Sequence, residues 1–198
     1  MAHVIAFANQ KGGVAKTTST VNLGAALREH DPVLVIAVGQ AAARDTVSLE
    51  RIAINLIDAP IADNAGQQPV DIPVIAGALP AYFSTLPLKA MLRAMSKAGI
   101  PASLSLSAGS FVCNEVFYAL MHGLAEQGGR TRQAGFIHVP CLDVQALEHP
   151  GRAWLALPLI VEALRLAVRV ALASSRDDCD VLIEEDLAWD GGMIAPRC

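Results

Sequence analysis

Cys113 closes the string Ser107-Ala-Gly-Ser-Phe-Val-Cys113, where a strand-like run passes into an amphipathic helical pattern. At a helix N-terminus the thiolate is favoured by the dipole and the outward-pointing backbone N–H groups, which makes a cysteine there a candidate nucleophile. A nucleophile of this kind works with a base, and the base with a third group that orients it. His138, in the apolar run Gly135-Phe-Ile-His-Val-Pro140, can serve as the base, and Glu50, in Leu49-Glu-Arg-Ile-Ala-Ile-Asn55, as the orienter. Taken singly, each has a plainer reading. A cysteine among apolar residues is usually inert core, a histidine in an apolar strand is usually hydrogen-bonded structure, and a glutamate beside an arginine is usually a solvated or paired charge. Taken together, the chemistry is acyl transfer.

The elements that must position these groups alternate along the chain. Val33 to Val38 and Arg51 to Ile57 read as strands. Pro87 to Ala98 reads as a helix, with Leu88, Met91, Leu92 and Met95 on one face and Gly99 as its stop. Pro101 to Ser107 is the strand that feeds Cys113. Asn114 to Gln127 is the helix behind the cysteine, turning Val116, Phe117, Leu120 and Leu124 inward, and Phe136 to Val139 is the strand that delivers His138. Residues 59 to 80, rich in Pro, Gly, Asn and Gln, form a long loop. Alternation of this kind predicts an α/β protein, a three-layer α/β/α sandwich around a mostly parallel or mixed sheet, with its site at strand ends. One domain spans residues 1–198, with 176–198 as a tail.

Composition narrows the function classes. A formal net charge of −4 argues against a nucleic-acid partner, which calls for a basic face. The cysteines at 113, 141, 179 and 198 show neither C-x-x-C spacing nor a zinc pattern, and with no signal peptide they read as reduced thiols of a cytoplasmic protein. No metal or other cofactor is called for. Trp154 to Ala173 is apolar and long enough to cross a bilayer. Glu162, Arg165 and Arg169, however, fall on one helical face, so it reads as a helix from about Pro158 to Ser174 packed on a sheet, and no membrane partner is expected. With 53% hydrophobic residues, some of the apolar surface is expected to meet a partner.

From about Asp31 to Ala173 a series of strings occurs in one order: Val38-Gly-Gln-Ala41, Leu49-Glu-Arg-Ile-Ala-Ile-Asn55, Asp63-Asn-Ala-Gly-Gln-Gln-Pro69, Ala81-Tyr-Phe-Ser-Thr-Leu-Pro87, Ala108-Gly-Ser-Phe-Val-Cys-Asn114 and Gly135-Phe-Ile-His-Val-Pro140. This stretch resembles type I pyroglutamyl peptidase, also called pyrrolidone-carboxylate peptidase. The resemblance implies a cysteine peptidase with a Cys-His-Glu triad at Cys113, His138 and Glu50, acting on peptides with an N-terminal pyroglutamyl residue. It further implies that Gln40, Phe111 and Val112 lie near the lactam ring, that the 59–80 loop lies near the site and the subunit contact, and that the chain forms a homo-oligomer, a dimer or tetramer. Three departures stand out. The family's Gly-Phe-x-Pro-Phe-Gly-Gly loop is missing ahead of the matched region, Ala42 and Ala43 replace glycines in a Gly-Gly-Arg string, and Pro60 replaces an arginine. The alanines would be strained if that loop required positive φ.

The first 28 residues read differently: a strand, His3 to Ala8, a loop, Asn9-Gln-Lys-Gly-Gly-Val-Ala-Lys-Thr-Thr18, and a helix, Ser19 to Glu29. They resemble the deviant Walker A segment of ParA and MinD type ATPases through Lys11, Gly12, Gly13, Lys16 and Thr17. That resemblance implies backbone N–H groups cradling phosphates, Lys16 neutralising them and Thr17 ligating Mg²⁺. The acidic switch of such ATPases is missing, since Ala37 and Gly39 stand at the expected positions. The leading expectation is therefore a pyroglutamyl peptidase and the alternative an ATP-binding partition protein. A third account is a peptidase core whose ring clasp has been replaced by a ParA-like strand, loop and helix.

Overall fold

The computed structural model describes residues 34–62, 66–126, 133–148 and 151–173. The main sheet contains β1 (Leu34–Gln40), β6 (Gln133–Val139), β2 (Val47–Glu50) and β5 (Ala102–Ser105) in that spatial order. β1 runs parallel to β6, β2 antiparallel to β6, and β5 parallel to β2. The sheet is thus mixed, as expected for this architecture. A separate ribbon pairs β3 (Ile52–Ile54) with β4 (Ala81–Phe83), antiparallel. The helices are α1 (Leu88–Lys97), α2 (Val112–Glu126), α3 (Asp143–Glu148) and α4 (Leu157–Ala173).

Strand alternation divides the sheet into two faces. On one, Val47 and Leu49 of β2 and Ile137 of β6 join Leu88, Met91 and Met95 of α1 and Ile160, Ala163, Ala167 and Ala171 of α4 in a single apolar core. The alanines of α4 recur at one helical face, so the helix backbone approaches its neighbours closely. On the other face, Ala134 and Phe136 of β6 meet Val116, Phe117, Tyr118 and Met121 of α2, together with Ala53 of β3. The helices on both faces make the three layers.

Local chemistry explains how α1 stops. The N–H of Gly99 donates to Ser96 O at 3.0 Å and that of Ile100 to Met95 O at 2.9 Å. Gly99 takes φ +70°, the left-handed conformation that closes such a cap, and Ile100 then buries beside Met95. α4 begins one residue before Pro158, which sits in its first turn where a missing N–H costs nothing. Its charged stripe is present: Arg165 pairs loosely with Glu162 at 3.8 Å on the exposed side. Among the described residues no helix is long and apolar enough to cross a membrane.

The structure corrects three expectations. The predicted strand from Arg51 to Ile57 is broken: Val47–Glu50 is an inner strand of the main sheet, and after the exposed Arg51 only Ile52–Ile54 continues, in the ribbon. The apolar positions shift from odd (Val47, Leu49) to even (Ile52, Ile54) at Glu50-Arg51, the point where the chain leaves the main sheet for the ribbon. α2 begins at Val112 rather than Asn114, so Cys113 lies inside its first turn. The short α3, whose first N–H groups turn back on Asp143 and Leu142, was not anticipated. The described residues of loop 59–80 are irregular as predicted, apart from an isolated bridge between Ile57 and Ile72. Residues 1–33 and 174–198, with the phosphate-loop residues Gly12, Gly13, Lys16 and Thr17 and the expected tail, lie outside the described residues.

Candidate active site

Glu50 and His138 meet on the α2 face of the sheet. Ser48 is the register partner of His138 in the antiparallel β2–β6 pair, and Glu50 opposes Phe136. Glu50 is therefore the diagonal neighbour of His138 on the same face, within side-chain reach. The result is a contact of 2.7 Å between His138 Nδ1 and Glu50 Oε1, with Glu50 fully buried and His138 only 3% exposed. Oε1 accepts, so Nδ1 carries the proton and Nε2 is left with its lone pair. The ring of Phe136 lies against the imidazole, centroids 4.8 Å apart, and restricts its rotation.

Cys113 reaches the same place from α2. Gly39 of β1 is the register partner of His138, one strand spacing (about 4.8 Å) away. A Cβ built on Gly39 would stand 3.1 Å from Cys113 Sγ and 2.8 Å from Phe136 Cζ. The sulfur thus sits directly over β1 beside the His138 row, and only a residue without a side chain leaves room for it. Gly39, first read as a missing acidic switch, is explained by this close approach. Cys113 is partly buried in the second core, while the first-turn N–H groups of α2 point out of the helix end at the same level.

Two further residues hold the arrangement. Asn114, fully buried, donates through Nδ2 to Ile54 O at 2.8 Å and Leu56 O at 3.0 Å, and accepts from Ile54 N at 3.0 Å through Oδ1. It straps the residue after the nucleophile to the end of β3 and to the segment that follows it. Arg44 donates through Nη1 to Glu50 Oε1 at 2.5 Å and through Nη2 to Ser107 O at 2.8 Å. Sequence reasoning had Asn114 inside a matched string and Arg44 only at the end of the departing Ala42-Ala-Arg44 stretch, and gave neither a role. A carboxamide in an otherwise apolar helical pattern was the available signal for Asn114. For Arg44 no local signal exists, since its partners are brought together by the sheet.

Of the residues expected near the lactam ring, Gln40 is exposed at the end of β1 and donates through Nε2 to Gln145 Oε1 at 2.6 Å. Gln145, on α3, also accepts from Leu142 N at 2.9 Å, so it links Gln40 to the chain after β6. Phe111 and Val112 are partly buried at the N-terminal end of α2, with Val112 packed on the second core. Ala42 and Ala43 form a turn closed by Arg44 N to Ala41 O at 3.0 Å and neither takes positive φ; among the described non-glycine residues only Asp71 does. The feared strain is not there. Pro60 lies exposed in the loop.

A partly buried thiol at a helix start, with an imidazole and a buried carboxylate in contact nearby, is the set of groups a cysteine peptidase calls for, on an α/β fold. The chain belongs to the pyroglutamyl peptidase family, whose model matches residues 9–174. It is 54% identical over 155 residues to a pyrrolidone-carboxylate peptidase of Cupriavidus taiwanensis, covering 78% of this chain and 72% of that protein. It is 50% identical over 181 residues to pyrrolidone-carboxylate peptidase 1 of Photorhabdus laumondii, covering 89% and 78%. Pyroglutamyl peptidase I from Bacillus amyloliquefaciens superposes with a TM-score of 0.74 at 39% identity, covering 79% of this chain and 73% of that one. The family match starts within the loop that resembled a Walker A segment, and these relatives lend the ATPase alternative no support.

Proposed function

We propose that this chain removes N-terminal pyroglutamyl residues from peptides, with Cys113 as nucleophile, His138 as general base and acid, and Glu50 as the residue that orients and charges the imidazole. The observation that carries the reading is the buried 2.7 Å contact between His138 and Glu50 on the face where Cys113 Sγ packs against β1. His138 Nε2 takes the thiol proton as Sγ attacks the pyroglutamyl carbonyl carbon. The tetrahedral oxyanion is met by N–H groups of the first turn of α2, a kind of contact worth roughly 3 kcal/mol of barrier. Collapse transfers the proton to the leaving amine and leaves a thioester. Water, deprotonated by the same nitrogen, then attacks the thioester, releases 5-oxoproline and returns the proton to sulfur.

Gln40, held by Gln145, supplies polar contacts to the lactam, and Phe111 and Val112 supply an apolar wall. A cytoplasmic location accords with Cys113 and Cys141 being outside any disulfide. Assembly into a dimer or tetramer accords with the exposed Ile72, Leu79 and Phe83 on the ribbon side. The deciding experiment is hydrolysis of a pyroglutamyl amide with a fluorogenic leaving group, wild type beside Cys113→Ser. Release by the wild type and none by the variant is the expected result; a Cys113→Ser protein of undiminished activity overturns the mechanism.

A further inference from the structure

We propose that Arg44 is a positioning residue for the triad: its guanidinium keeps the buried Glu50 carboxylate charged and aimed at His138, and ties it to the loop that leads to Cys113. The proposal rests on the peptidase reading above. Glu50 is fully buried, and a carboxylate withdrawn from water stays ionised only if a charge or several donors compensate it. Two donors converge on Oε1, Arg44 Nη1 at 2.5 Å and His138 Nδ1 at 2.7 Å, while Oε2 is buried with no hydrogen-bond partner. A base waiting for the thiol proton is neutral, so before catalysis the charge balancing Glu50 in these contacts is that of Arg44.

The other arm of the same guanidinium reaches Ser107 O, which also accepts from Ser105 Oγ at 3.1 Å. Ser107 opens the turn toward Cys113, and its Oγ accepts from Gly109 N at 3.1 Å. One planar fork therefore spans the acid on β2 and the loop ahead of the nucleophile. Arg44 is itself placed by backbone: its N–H closes the turn on Ala41 O at 3.0 Å, and Ala41 N donates to Val139 O of β6 at 2.9 Å. Its side chain is 27% exposed, so it shields one side of the pair from water and keeps its own contact with solvent. Lysine could replace the charge but not both directed bonds.

The ionisable groups facing His138 are Glu50 from β2 and Cys113 from α2, with Arg44 one contact further, through Glu50. Removing a positive charge favours protonation of Glu50, His138 and Cys113 alike. The active form needs a charged carboxylate and an available base, so the acid limb of the rate profile moves to higher pH. The test is kcat and KM for a pyroglutamyl amide across about pH 5 to 9, in wild type, Arg44→Gln and Arg44→Lys, alongside NMR titration of the His138 ring. Arg44→Gln is expected to lower kcat about tenfold or more, with KM within about threefold, and to displace the acid limb and the His138 titration upward by about half a unit or more.

Arg44→Lys is expected to restore the limb and to leave kcat between the two. An Arg44→Gln protein whose limb and His138 titration stay in place overturns the proposal whatever rate it loses, as does a lysine variant indistinguishable from the glutamine one. Should Arg44→Gln not fold, Arg44→Lys decides: a wild-type limb with reduced kcat supports the proposal, and a displaced limb overturns it. Should the wild type fail to cleave the amide, the peptidase reading falls and the His138 titration still decides on Arg44.

Discussion

The two faces of the main sheet are made by the same strands and serve different ends. Toward α1 and α4, Val47, Leu49 and Ile137 enter a core with no charged member. Toward α2, the intervening residues of the same strands are Ser48, Glu50, Phe136 and His138, buried but polar at alternate rows. Period-two alternation lets one strand do both, because each step along it changes face. The lesson is that the apolar face holds the strands in register, and the register then sets which polar groups meet. Gly39 against His138, and Glu50 one row from it, follow from pairing, not from proximity in sequence.

If that division is right, damage to the two faces separates activity from stability. The largest effect is expected on the polar face: His138→Gln or Cys113→Ala should lower kcat/KM by roughly 10⁴-fold or more, with thermal unfolding of the purified variants close to wild type. Leu49→Ala should do the reverse, costing about 2–5 kcal/mol in urea unfolding through a cavity in the apolar face, while kcat of the remaining folded protein is retained. A Leu49→Ala protein that is stable but inactive would show that the faces are not separable.

Positions where both demands fall on one residue sharpen the contrast. Asn114→Ala should lose about 1–3 kcal/mol, because three bonds to Ile54 and Leu56 disappear and buried backbone groups are left without partners. Activity should fall with it, since Cys113 is the neighbour of the strap. Gly39→Ala puts a methyl group 3.1 Å from Cys113 Sγ and 2.8 Å from the Phe136 ring. A cost of about 1–2 kcal/mol is expected, with a larger relative loss of activity, to be read by comparing unfolding midpoint with kcat.

The smallest effect is expected at Tyr118, where the second core meets Tyr82 and His122. Burial, and then the neighbouring Tyr82, raise the Tyr118 hydroxyl above its usual 10.0. The unfolded chain thus loses this proton first as pH rises, so the folded state binds more protons above that value and stability falls there. Tyr118→Phe should flatten that alkaline decline. At neutral pH it should cost about 0.5–1.5 kcal/mol through the lost bond to Leu79 O. Unfolding curves near neutral pH and above the normal tyrosine range check both statements.

Much of the candidate site was legible in the chain. Cys113, His138 and Glu50 were named from residue type and matched strings, and the structure gathers them at one place. Helix α1 was legible to within a residue at each end, because Gly99 and the Met91 and Met95 spacing are local signals. The break after Glu50 was not, since the partners that draw 47–50 into one sheet and 52–54 into another lie far along the chain. Arg44 and Gln145 were invisible as site residues for a related reason: their partners, Glu50 and Ser107 for one and Gln40 for the other, lie on different elements.

By itself, the sequence determined which groups are available for chemistry, the α/β alternation that carries them, and membership of the peptidase family. These depend on residue type, local periodicity and ordered strings, all of which are properties of neighbours along the chain. Only the tertiary structure decided that β2 runs antiparallel beside β6, that Gly39 yields its side-chain space to Cys113 Sγ, and that one arginine spans the acid and the nucleophile loop. Those relations join residues as much as 90 positions apart, Ser48 and His138, and their distances are set by strand register and core packing, which no local stretch of sequence encodes.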